Sequence, residues 1–251
     1  MSTQVEPNLI DEANRLVSEL SARGLEVRLL GGIAIRLALA DRYPPALIRD
    51  HDDIDLITTK SQGTDVESAL ADLGWEPDRQ FNAINGARRM LFHDEETGHK
   101  IDGFVERFEM CHSLPLTSRF DQCHETLSPA DLLLTKLQVI ELNAKDRGDC
   151  YALLLGFPVV SGTREKTIDA DWIAELAASD WGLHHTLQLN FDRLLSGLDE
   201  LDFSQAERTT IEGGVSEITA AMDAAKKSRA WKMRDRIGER KRWYDEPEEI
   251  G

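Results

Sequence analysis

The chain has 251 residues, 41% of them hydrophobic and 30% charged, which is enough for one large domain or for a catalytic domain with a smaller one attached. Its 46 acidic and 29 basic residues give a net charge of −17, which opposes broad, nonspecific adhesion to a nucleic-acid backbone. No apolar run approaches the roughly 18 residues of a membrane span, and the opening MSTQVEPNLI lacks the basic start and apolar stretch of a signal peptide, so a cytoplasmic protein with no membrane partner is expected. Cys111, Cys123 and Cys150 cannot all pair with one another and read as reduced thiols.

In chain order, Leu9, Ile10, Ala13, Leu16, Val17 and Leu20 recur at helical spacing over 8–23, and Gly24 stops that helix. Residues 25–30 read as a strand ending on Gly31-Gly32, and 33–40 as a helix. Pro44-Pro45 breaks the chain ahead of the acidic segment 49–58, whose second half has strand character. A helix is expected over 66–73, then strands over 87–93 and 99–108 joined as a hairpin by the polar turn 94–98. Ser128 suits an N-cap, Pro129 the first helical position and Asp131 the positive end of the dipole, for a helix carrying 132–142. A second helix runs from 144 to the break at 156–158, and a linker from there to Thr167. Helices follow over 169–179, 182–198, 204–225 with an interruption at Gly213-Gly214, and 226–243. This order predicts an α+β catalytic domain over 1–160, with a short mixed sheet flanked by helices, and a helical C-terminal domain over 161–251.

Side chains two apart on a strand share a face, so Asp53 and Asp55 project together while Ile54 and Leu56 point to the core. Two adjacent carboxylates repel one another, and a divalent cation between them removes the repulsion; Mg2+ and Mn2+ accept such hard oxygen ligands. About twenty residues upstream, Gly31-Gly32 opens a helix, and such a turn exposes backbone N–H groups suited to phosphate. A phosphate cradle with a carboxylate pair describes a site for a metal-bound nucleotide.

Gly31-Gly32, a short helix and Asp53-Ile54-Asp55 together resemble the nucleotidyltransferase superfamily that includes DNA polymerase β. The lead-in Arg49-x-His51-x-Asp53-Ile-Asp55-Leu56 is similar to that family's Arg-x-Thr-x-Asp-Ile-Asp-Leu, with His51 in place of the hydroxyl residue. The resemblance implies a nucleotidyltransferase fold and transfer of an NMP from an NTP to an acceptor hydroxyl. It implies a third carboxylate from a later strand, for which Asp102 is the candidate and Glu106 the nearest substitute. Asp53, Asp55 and Asp102 would then be both catalytic and metal-holding, and Gly31, Gly32 and Arg49 would bind the nucleotide.

The later run from Leu127 through Lys136, then Lys145-Asp146-Arg147-Gly-Asp149, resembles the branch containing the AbiEii-type toxins. That resemblance implies that Lys136 and Lys145 bind the triphosphate and that Asp146 and Asp149 shape the cleft, and it leaves an antitoxin protein open as a partner. The acceptor stays open between RNA, a protein hydroxyl and an aminoglycoside-like small molecule. A non-catalytic nucleotide-binding or regulatory protein with the same fold is the alternative.

Cys111-His112 and Cys123-His124 lack the gap within each pair that zinc sites use. His184 and His185 cannot face the same way, being about 100° apart, and read as part of a polar helix face. Between Ala221 and Trp243 nine basic residues stand against three acidic ones, a local +6 that leaves −23 on the rest. This tail reads as a solvated helix or as a holder of RNA, with Trp231, Trp243 and Tyr244 available for stacking.

Overall fold

A computed structural model describes residues 9–246, which divide into two compact units. The first takes the chain up to Ala38, Arg49–Phe108 and Leu114–Leu127; the second takes Leu39–Ile48, Glu109–Ser113 and the chain from Ser128.

In the first unit, α1 (Leu9–Ala22) buries Leu9, Ala13, Leu16, Val17 and Leu20 along one stripe and packs on the sheet. Gly24, with φ +79°, closes the helix. The sheet has the order β1 (Val27–Leu30), β2 (Asp53–Thr58), β5 (Lys100–Val105), β4 (Arg89–His93) and β3 (Glu76–Pro77), with only the β2–β5 pair parallel. α2 (Gly31–Leu39) follows β1 without a spacer, and α3 (Gly63–Asp72) follows β2.

The expected hairpin is present, its turn tied by Thr97 and the Glu96 N–H donating to Asp94. These bonds hold the Asp94 carboxyl below its ordinary range. Two elements had no periodicity to announce them: β3, two residues long, and α4 (Arg79–Asn85), capped by Asp78. Asn82 of α4 is buried and exchanges two hydrogen bonds with the backbone of Leu91, which fastens α4 to β4.

The second unit is helical. α5 (Pro129–Leu137) starts with the expected Ser128 cap but ends five residues short of Leu142. The carbonyls of Leu137 and Val139 accept from the Asn190 amide, and that of Ile140 from Arg193, so side chains from a distant helix replace the next helical turn. α6 (Ala144–Gly156) follows. The expected linker, which ends at Thr167, contains a short strand, Val159–Val160, paired in parallel with a second just beyond it, Ile168–Asp169. α7 (Ala170–Ser179) and α8 (Trp181–Ser196) come next.

The break expected at Gly213-Gly214 is absent: α9 (Gln205–Ala224) runs 20 residues behind a Ser204/Glu207 capping box. Gly214 is buried there for close approach, since a Cβ would meet Leu154 and Val159 side chains at 3.1 Å. α10 (Arg229–Ile237) is shorter than expected, stopped by Gly238 at φ +58°. No helix among the described residues is long and apolar enough to cross a membrane.

His112 and His184 are buried in this unit, His112 bonded to Thr186 at 2.8 Å, so His184 does not belong to a polar face. Burial holds both imidazoles below their ordinary 6.5. The unfolded chain binds those protons first, so this stability is complete above 6.5 and is lost as pH falls through the folded values. Urea unfolding is expected to show a lower midpoint at about pH 5.5 than at about pH 7.5, with a smaller difference in His112→Gln.

Candidate active site

Strand alternation places Asp53 and Asp55 on one face of β2, with Ile54 and Leu56 fully buried on the other. β5 runs parallel beside β2 and pairs Asp102 with Asp55 in register, so all three carboxylates share that face. Asp53 is exposed; Asp55 and Asp102 are half-buried.

Leu30 at the end of β1 pairs with Asp55, so the next two residues, Gly31 and Gly32, start α2 against the acidic strand. Gly31 has φ +72°, and a Cβ there would overlap Asp55 Oδ2 and lie 2.9 Å from its carboxyl carbon. A Cβ at Gly32 would stand 2.5 Å from Arg49 Nη2 and 2.8 Å from the His51 ring. Both glycines are needed because the Asp55 carboxylate and the Arg49/His51 pair occupy the space a side chain would fill. Arg49 Nη1 lies 3.3 Å from His51 Nδ1, so the histidine at the hydroxyl position packs on the glycine turn beside Arg49.

Asp102 has a partner that sequence reasoning missed. Arg89 of β4 grips it bidentately, Nε to Oδ1 at 2.8 Å and Nη2 to Oδ2 at 2.5 Å, with side-chain exposures of 9% and 14%. The guanidinium also lies over the Phe104 ring, 5.1 Å from its centroid. Burial pushes the Asp102 carboxyl above its ordinary 3.8, Arg89 opposes that rise and the negative charge of Asp53 adds to it. The hairpin register carried a signal for this pair. His93 faces Lys100 and Leu91 faces Asp102, which puts Arg89, two positions on, on the face of Asp102.

Asp53 and Asp55 fit a hard divalent cation: two carboxylates on one face, with a glycine kept free of a Cβ beside one of them. Among the described residues no group of three or more His, Cys, Asp or Glu side chains is gathered for a metal. Asp102 presents both oxygens to Arg89 instead.

The structure thus brings Gly31, Gly32, Arg49, Asp53, Asp55 and Asp102 together in the first unit. Lys136 and Lys145 are carried by the second. Lys136 Nζ lies 3.0 Å from Asp146 and 3.1 Å from the fully buried Asp149, an ion-paired cluster that ties α5 to α6. Lys145, on the first turn of α6, is exposed.

A family model described as "Uncharacterised nucleotidyltransferase" matches residues 3–145. No curated protein matches the chain. Among solved structures, it is similar to the lincomycin-bound lincosamide antibiotic adenylyltransferase LnuA, at 16% identity and TM-score 0.40 over 59% of this chain and 96% of that one. It is also similar to an antigenic nucleotidyltransferase-like protein from Paracoccidioides brasiliensis, at 14% identity and TM-score 0.42 over 90% and 96% of the two chains. A third is the antibiotic-resistance factor ANT(2'')-Ia, at 13% identity and TM-score 0.37 over 92% and 95%.

Proposed function

The chain belongs to the uncharacterised nucleotidyltransferase family, and from that premise we propose that it transfers an NMP from an NTP to an acceptor hydroxyl, with Mg2+ or Mn2+ held by Asp53 and Asp55. The observation that carries this reading is the convergence of Gly31-Gly32 with Asp55, and of Asp55 with Asp102, on one sheet face. When bound, the cation supplies neutralisation of the triphosphate and a lowered pKa for the acceptor hydroxyl.

The chain's own residues do the rest. The N–H groups at the start of α2, with Arg49, receive the phosphates. The acceptor oxygen bonds to the α-phosphorus as the bond to the bridging oxygen breaks, and pyrophosphate leaves with that electron pair. The hydroxyl proton passes to Asp102, whose burial makes it a stronger base than an exposed carboxylate. Each carboxylate oxygen has two lone pairs, so the Arg89 grip leaves one on each free to accept.

Lys145 remains a phosphate candidate in this reading. Lys136 is assigned a structural role, its charge already balanced by Asp146 and Asp149. The acceptor is an RNA, a protein or an aminoglycoside-like hydroxyl. A nucleotide-binding protein without transfer is the second reading, favoured by the occupation of both Asp102 oxygens by Arg89.

Metal-dependent protection by nucleotide is the test. With Mg2+ and an NTP at about 100 times Kd, wild-type protein should gain about 2.7 kcal/mol against thermal unfolding, and Asp53→Ala should gain almost none. A wild type that no NTP protects in either metal overturns the proposal. Metal-dependent label transfer to any acceptor separates the enzyme from the second reading.

A further inference from the structure

The helix α10 has two chemically opposed faces. On one, the Trp231 indole donates to the Ala177 carbonyl at 3.0 Å, and Arg234 lies 4.4 Å from the Trp181 ring centroid. Asp235 on the same face accepts from the Trp181 indole at 2.7 Å. Beyond the helix, Trp243 donates to Thr186 at 3.1 Å and meets the His185 ring edge-on at 4.9 Å. Tyr244 packs on Trp243 at 5.3 Å. The aromatic residues that sequence offered for base stacking therefore anchor the helix on the second unit.

On the opposite face Arg229, Lys232 and Arg236 follow one another at three- and four-residue intervals, all exposed, with Lys226 before them and Arg240 and Lys241 after. None of these six side chains has an ion pair or hydrogen bond among the described residues. Several cations elsewhere are paired, as Arg15 is with Glu12 and Glu19, Arg147 with Glu200 and Arg208 with Asp199. In a chain with 46 acidic residues, six cations stand together without a carboxylate partner among the described residues. Their mutual repulsion is unfavourable to the isolated protein, and an external polyanion would relieve it.

We propose that this face of α10 docks RNA through its phosphates, without base stacking. Arg229 to Arg236 spans about 10.5 Å of helix axis, the rise of about three nucleotides along one strand. The choice of RNA over DNA rests on the transfer reading, because RNA carries a hydroxyl on every ribose. Met233 and Ile237 are the exposed large apolar residues on the helix, too small a surface for an interfacial membrane helix.

The test is fluorescence anisotropy of the full chain with a labelled single-stranded RNA 20-mer of mixed sequence, in EDTA and without NTP. It therefore reads independently of the metal site and of the transfer reading. RNA should bind at about 50 mM salt, and log affinity should fall against log salt with a slope of roughly −2 to −3, for three to four phosphates at about −0.7 each. The triple variant Arg229→Gln, Lys232→Gln, Arg236→Gln should lose at least about tenfold in affinity and most of that slope, at an unchanged melting temperature. Arg15→Gln, Arg23→Gln, Arg164→Gln removes the same charge elsewhere and should retain wild-type binding. Equal loss in both triples, tighter binding of the same-sequence DNA, or no RNA binding would overturn the proposal. So would binding to vesicles of 30% phosphatidylserine in phosphatidylcholine without binding to RNA.

Discussion

Replacing Arg89 with methionine is expected to destabilise the protein by about 3 kcal/mol, the lower end for removing one member of a buried ion pair. The mechanism is the carboxylate left behind. Asp102 keeps 14% of its side-chain exposure, so stranding it costs less than in a dry core, but its two best donors are gone. The double variant Arg89→Met, Asp102→Leu should recover most of the loss, because apolar replacements of both partners remove the desolvation penalty together with the attraction. Urea midpoints of the two single variants, the double variant and wild type make the cycle. A double variant no more stable than Arg89→Met would mean that the arginine stabilises through Phe104 packing rather than through Asp102. The cycle also bears on function: a strong Arg89–Asp102 coupling marks a carboxylate held in one orientation, which the proposed proton acceptor requires.

Much of the acidic centre was legible because it rests on local rules. Alternation in Asp53-Ile54-Asp55-Leu56 fixes which side chains face out, and the Asp94–Gly98 turn sets the hairpin register that carries Asp102. What stayed illegible depends on partners distant in sequence. Gly213-Gly214 looks like a helix break until Leu154 and Val159 are known to press on Gly214. The early end of α5 is decided by Asn190 and Arg193, some fifty residues later. Lys136 carries the same sequence signal whether it meets phosphate or two aspartates; only the packing of α5 on α6 shows Asp146 and Asp149 around it. The role of the tail's tryptophans stayed open for the same reason, since nothing near Trp231 or Trp243 in sequence announces Ala177 or Thr186 as their acceptors.

Gly31→Ala should weaken metal-dependent nucleotide binding on the order of 100-fold, equivalent to about 2.7 kcal/mol. Two penalties meet at this residue. The backbone sits at φ +72°, where an L side chain costs about 1–2 kcal/mol, and the new methyl overlaps the Asp55 carboxylate. The strand is anchored by the buried Ile54 and Leu56, so the cheapest relief is rotation of Asp55 away from Gly31, which removes one carboxylate from the proposed metal pair. Gly24→Ala separates the two penalties. Gly24 has φ +79° with nothing within 4 Å of an added Cβ, so that variant carries the backbone strain alone. Gly24→Ala should lose about 1–2 kcal/mol of stability and Gly31→Ala at least as much, while only Gly31→Ala should lose the protection that an NTP with Mg2+ gives the wild type. If Gly31→Ala is protected as fully as Gly24→Ala, Asp55 does not hold the metal, and the role of the glycine turn reduces to shaping the junction of β1 with α2.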